Sequence, residues 1–169
     1  AMPELRRLNE KTGEAVDLHV LQGYQLMSLA RLESSHPVGV GRSTMAASMA
    51  VHATAGGKAI LAWLPEAEVD KVLSKTGLRE FTDNTITDAQ VFRAELLKVR
   101  RDGYASDYEE FQLGVRCIGS SVRDYNGAVI GAVSCSMPEL RVTTELVEKI
   151  RDAVCSCAKA LCERLGSSD

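Results

Sequence analysis

The pair Asn126-Gly127, set between the apolar stretches 114–122 and 128–137, constrains this chain more than any other feature. Asn-Gly is the strongest short-range signal for a tight hairpin, because both central residues of the favoured turn have positive φ. The turn can close in two ways. With Asn126-Gly127 central, Cys117 faces Ser136; with Tyr125-Asn126 central, it faces Ser134. In either register Cys117, Ser134 and Ser136 share one face, since alternate residues of a strand point the same way. Val115, Ile130 and Ala132 complete that face. Two hydroxyls and a thiol in an apolar surface suit a small polar ligand oriented by a few hydrogen bonds. The alternative is that both serines bond only backbone or water.

Strand patterns also open the chain. Val16, Leu18 and Val20 alternate with Asp17 and His19, and a second strand at 26–32 follows the turn residues Gln22-Gly23. Residues 33–51, rich in Ser, Gly, Pro and Met without a period, read as a loop folded over something. A helix is expected over 54–64, with Pro65 at the first position of the next, through 76. Thr87-Asp88-Ala89-Gln90 has the capping-box pattern, and Phe92, Leu96 and Val99 recur on one helical face up to Gly103. A strand at 104–108 precedes the hairpin. Thr143 caps a long final helix whose apolar residues Leu146, Ile150, Val154, Cys157, Leu161 and Leu165 keep a helical period. Strands bracketing helices predict one α+β domain with an antiparallel sheet and a long C-terminal helix.

Several function classes are disfavoured at this level. A formal charge of −3 is the opposite of the basic face that phosphate contact requires. The longest apolar runs, 59–64 and 128–133, fall short of the ~20 residues that span a bilayer, and no secretory signal opens the chain, so a cytoplasmic location is expected. The five cysteines lack metal or redox spacing and read as reduced thiols; Cys155 and Cys157 point about 200° apart on a helix. No ligand spacing argues for zinc, and no cofactor is expected. A hydrolase needs a nucleophile, a histidine and an acid, but His19, His36 and His52 stand in strand, loop and helix-start contexts without a nucleophile elbow. His19, on the polar face of its strand, reads as solvated. The enzymatic alternative is a GAF-type thiol enzyme, such as a methionine-sulfoxide reductase, with Cys117 as nucleophile; its only neighbouring thiol, Cys135, falls on the opposite face.

The stretch from His52 to Ala59 opens a helix with Thr54 as cap, and unpaired N–H groups there attract a carboxylate. It is not a P-loop, since no first glycine stands at the required offset and Ala59 follows Lys58.

These residues resemble a family. His52-Ala53-Thr54-Ala55-Gly56-Gly57-Lys58-Ala59, then Thr85-Ile86-Thr87-Asp88, Gly103-Tyr104-Ala105-Ser106-Asp107, Gly114-Val115-Arg116-Cys117-Ile118 and Ser134-Cys135-Ser136 follow the order and spacing of the effector domain of IclR-type bacterial regulators. The resemblance implies a GAF-like fold, a curved antiparallel sheet with flanking helices that holds a small effector, a carboxylate or 2-oxo acid. It implies a pocket of backbone N–H groups at Ala55 and Gly56 with Asp107, Cys117, Ser134 and Ser136, and an apolar wall of Val38, Met45, Met49 and Val115. It also implies a homodimer or homotetramer, and DNA contact only through a winged helix-turn-helix outside this sequence. On that basis residues 1–12 are the end of a linker helix, with Ala1-Met2 a possible tag remnant, and 13–169 the effector-binding domain.

Overall fold

Alternation along five strands places one antiparallel sheet between two sets of helices. The structure, a computed structural model, describes residues 1–41 and 45–166. Helix α1 (Met2–Thr12) leads into β1 (Ala15–Gln22) and β2 (Gln25–Leu32). Short helices α2 (Met45–Ser48) and α3 (Ala55–Leu61) flank a single 3-10 turn, Val51–Ala53, and are followed by α4 (Glu66–Thr76) and α5 (Ala89–Asp102). Strands β3 (Ala105–Tyr108), β4 (Val115–Arg123) and β5 (Val129–Pro138) come next, followed by α6 (Thr144–Arg164), and the strands lie in the order β2-β1-β5-β4-β3.

The back of the sheet packs on α1 and α6. Leu5 and Leu8 of α1 meet Ile150, Val154 and Leu161 of α6 over Val16, Ile118, Val133, Cys135 and Met137 of the strands. The front packs on α3 to α5, with Val51, Ile60, Leu61, Phe92, Leu96 and Val99 gathered over Ala105 and Ala132. Between irregularities in the pairing, alternate residues of a strand therefore go to opposite layers.

The hairpin closes with Cys117 opposite Ser136, the first of the two registers considered above. Its connection is wider than a two-residue turn: Asp124 N–H donates to the Ala128 carbonyl, and Asp124 Oδ1 accepts from the N–H groups of Asn126 and Ala128. The extra residue produces a bulge between Val122 and Arg123, which reverses parity at the start of β5. Val129 joins the front layer, and Ile130 turns to the back, where it lines a hollow with Leu18, Val20, Val122 and Leu161. The sequence reading placed Ile130 with the serines because it counted alternation through this bulge.

Caps differ in detail. Asp88, not Thr87, caps α5 by accepting from the N–H groups of Gln90 and Val91; a carboxylate one residue on outcompetes the hydroxyl. Pro65 is the cap of α4 rather than its first residue, and α3 ends at Leu61. Thr143 caps α6 and Gly103 ends α5 in the left-handed conformation, both as read from the sequence.

Candidate functional site

A cavity of about 110 Å³ opens on the front of the sheet between β1, β5, β4, β3 and the start of α3. Ala55, Gly56, Asp107, Cys117, Ser134 and Ser136 all line it, as does Val115. Cys117 sits opposite both Asp107 on β3 and Ser136 on β5, so the pairing of three strands stacks these side chains side by side. Cys117 donates to Ser136 Oγ at 3.2 Å. Burial, with the Asp107 carboxyl beside it, pushes the Cys117 thiol well above its usual value, so it remains a thiol and a weak donor. Cys135 faces the back, against Thr12. A nucleophilic cysteine needs the reverse environment, one that lowers the pKa.

Sequence reasoning missed the polar group on β1 and β2. Asp17, His19, Ser28 and Arg31 line the same cavity. His19 is not a solvated strand residue: its Nε2 lies 2.9 Å from Ser134 Oγ, and burial lowers the pKa of the ring, partly offset by Asp17 and reinforced by Arg31. This is a serine–histidine contact between residues far apart in sequence, which no local motif reveals. Both Asp17 oxygens are engaged, by Ser28 Oγ at 2.9 Å and by the Arg31 guanidinium. They are thus spent on β2 rather than on orienting the imidazole, as the acid of a catalytic triad would be.

Asp107 is held by the chain that follows it. Its Oδ1 accepts from the Glu110 N–H at 2.7 Å, and Glu110 in turn accepts from Lys58 Nζ at 2.7 Å. Lys58, wholly buried, also reaches Glu95 at 3.1 Å. The lysine after Gly56-Gly57 is therefore the centre of a buried ion network behind the cavity, not a phosphate ligand. Burial raises Asp107 to about 7; the hydrogen bond from the Glu110 N–H opposes the rise most, the Glu110 carboxylate adds to it, and Lys58 opposes it. Near neutral pH its carboxyl can donate as well as accept.

The start of α3 is fixed by close backbone approaches. Gly57 N–H bonds Thr54 Oγ1 and Lys58 N–H bonds the Thr54 carbonyl, leaving the N–H groups of Ala55 and Gly56 without partners inside the helix. A Cβ on Gly57 would collide with the Val51 carbonyl oxygen, at 2.0 Å. A Cβ on Gly119 of β4 would stand 2.9 Å from the Ala55 carbonyl carbon and 3.1 Å from Gly56 N, so the missing side chain lets the strand lie directly against the helix start. With seven residues, α3 offers an anion these local N–H groups rather than a long-helix field.

Two arginines hold the segment over the cavity mouth. Arg31 donates to the carbonyls of Val40 and Gly41, both of which belong to the lining, and Arg141 bridges Glu14 and the Val38 carbonyl. Ala47 lines the roof. Val38 and Met49 are not lining residues: Val38 is 54% exposed, and Met49 Sδ accepts from Gln25 on the outer strand. The Met45 side chain lies outside the described residues. Phe111 and Gln112 close the side near β3. Among the described residues, no cluster of ligating side chains could hold a metal ion, and no helix is long and apolar enough to cross a membrane.

The family model for the bacterial transcriptional regulator IclR C-terminal domain matches residues 1–163. The chain is 35% identical to the HTH-type transcriptional regulator BhcR of Paracoccus denitrificans over 161 residues, 95% of this chain and 57% of that relative. The chain thus spans little more than half the length of that curated protein. A crystal structure of an IclR transcriptional regulator from Silicibacter sp. TM1040 superposes with a TM-score of 0.90 at 33% identity, over 99% of this chain and 65% of that one. The inducer-binding domain of the PobR transcription factor from Acinetobacter, solved as a double mutant in complex with 3-hydroxybenzoic acid, gives a TM-score of 0.80 at 29% identity, over 94% and 93% of the two chains. The chain belongs to the IclR C-terminal family, the effector-binding domain of these regulators.

Proposed function

We propose that this IclR-family domain senses a small carboxylate, with a 2-oxo acid such as glyoxylate or pyruvate, free or as its hydrate, the best fit. The observation that carries this reading is the cavity itself. At about 110 Å³ it is smaller than the engineered hole of about 150 Å³ that takes up benzene, so it favours a ligand of a few heavy atoms. In this reading the acid group meets the N–H groups of Ala55 and Gly56, and Asp107, Cys117, Ser134 and Ser136 surround the other end. Asp107, titrating at about 7, supplies the donor that a carbonyl oxygen needs or the acceptor that a hydrate hydroxyl needs. The PobR neighbour's 3-hydroxybenzoic acid is a carboxylate carrying a hydroxyl, which is the same pairing of groups on a larger frame.

Calorimetry with glyoxylate and pyruvate tests the reading. Each ligand hydrogen bond is worth about 0.5–1.5 kcal/mol, so Ser134→Ala with Ser136→Ala should weaken binding by roughly ten- to a hundred-fold with a native melting curve. Unchanged affinity in that variant would place the ligand elsewhere. The thiol-enzyme alternative has little to support it, because the raised pKa of Cys117 works against a thiolate.

In the whole regulator, residues 1–12 then form the end of a linker helix. DNA recognition falls to a winged helix-turn-helix outside this sequence, and the domain works in the cytoplasm as a homodimer or homotetramer. A species of single-chain mass in light scattering at micromolar concentration would overturn the assembly.

A further inference from the structure

Nothing in the reading above uses the imidazole of His19, which touches both halves of the cavity. Its Nε2 bonds Ser134 Oγ, and its Cδ2 occupies the space where a side chain on Gly56 would begin, at 2.6 Å from that Cβ position. We propose that His19 is a further effector-contacting residue, one that recognises an anionic effector by binding a proton together with it. The inference rests on the carboxylate reading of this same cavity.

A carboxylate entering a cavity that already holds Asp107 is favoured by a positive charge, and among the described residues the cations around the cavity are already committed. On β2, Arg31 is bound to Asp17, Glu33 and two carbonyls. On α3, Lys58 is turned to Glu110 and Glu95. On β4, Arg116 is paired with Glu139. β5 presents His19 only with Ser134 and Ala132, neither of them charged. On its own strand the ring feels Asp17, and across the cavity stands Asp107. The back hollow that reaches this part of β1 is lined by Ala1 and Arg164, the latter paired with Glu4 at 2.8 Å.

Among the described residues, that leaves His19 as the group able to become a cation on demand. Burial keeps the empty ring neutral around physiological pH, and an opposite charge within a few ångströms favours the imidazolium. Protonated, the ring donates from Nε2 to Ser134, which frees the serine hydrogen to point at the effector.

Titration of glyoxylate into the chain slightly above neutral pH, in two buffers of different ionisation enthalpy, counts protons taken up on binding. The wild type should gain about half a proton or more, and His19→Gln should lose that uptake and bind roughly ten-fold or more weakly. Asp107→Asn is the internal control, because that carboxyl can also gain a proton beside an anion. Uptake that survives in His19→Gln and vanishes in Asp107→Asn overturns the proposal, as does zero uptake by the wild type, which needs no variant at all. Absence of binding by glyoxylate and pyruvate alike overturns the sensing reading first, and this inference with it.

Discussion

Residues 133, 135 and 137 of β5 point to the back of the sheet, and residues 132, 134 and 136 of the same strand point to the front. At the back, Val133, Cys135 and Met137 are fully buried against α6, and the Cys135 thiol meets the buried hydroxyl of Thr12. At the front, the two serines border an open space and are bonded to a histidine and a cysteine. One strand therefore serves close packing and polar recognition at once, separated only by the parity of its residues. Stability is concentrated where space is filled, and selectivity where it is left open.

The sharpest way to break this division is to disturb the charge behind the cavity. Lys58→Met leaves Glu110 buried without its cation, and removing one member of a buried pair costs about 3–5 kcal/mol; urea denaturation should report the loss. A smaller loss would mean that Glu110 escapes by taking up a proton. Next comes the back face. Ile150→Ala should destabilise by about 2–5 kcal/mol, while the fraction that remains folded binds glyoxylate as before. An altered affinity in that variant would mean that the two faces are coupled.

Asp107 gives the subtlest comparison. Its folded pKa of about 7 lies above the ordinary 3.8, so between those values the native state holds a proton that the unfolded chain has released. Stability attributable to this residue is then present at low pH and falls as pH rises through that window. Asp107→Asn should lack this decline, and denaturation midpoints followed across the same pH range should diverge from wild type. Parallel curves would show that the carboxyl is solvated in the folded protein.

The architecture was legible where a short signal fixes geometry by itself. Asn126-Gly127 located the hairpin, and the parity of Cys117, Ser134 and Ser136 survives either register, so their common face did not depend on choosing one. Ile130 was misplaced because a bulge adds a residue without leaving a mark in the apolar pattern. His19 was misread because a polar residue alternating with apolar ones looks the same whether its face meets water or a cavity. Only the antiparallel pairing of β1 with β5 brings it to Ser134. The wall residues in the loop were the least legible, since a segment without a period gives no direction to Val38 or Met49.

Gly119 has a consequence for how such a domain can change. Its missing side chain seats β4 directly on the backbone of Ala55 and Gly56, so the position of the helix start is set by main-chain contact and not by any of the residues that would discriminate between ligands. Grip and taste are thereby separable in heredity. Exchanging a serine, the cysteine or the histidine can retune which molecule is read while the anchor stays in place. A single methyl group at position 119 would displace the anchor for every ligand at once.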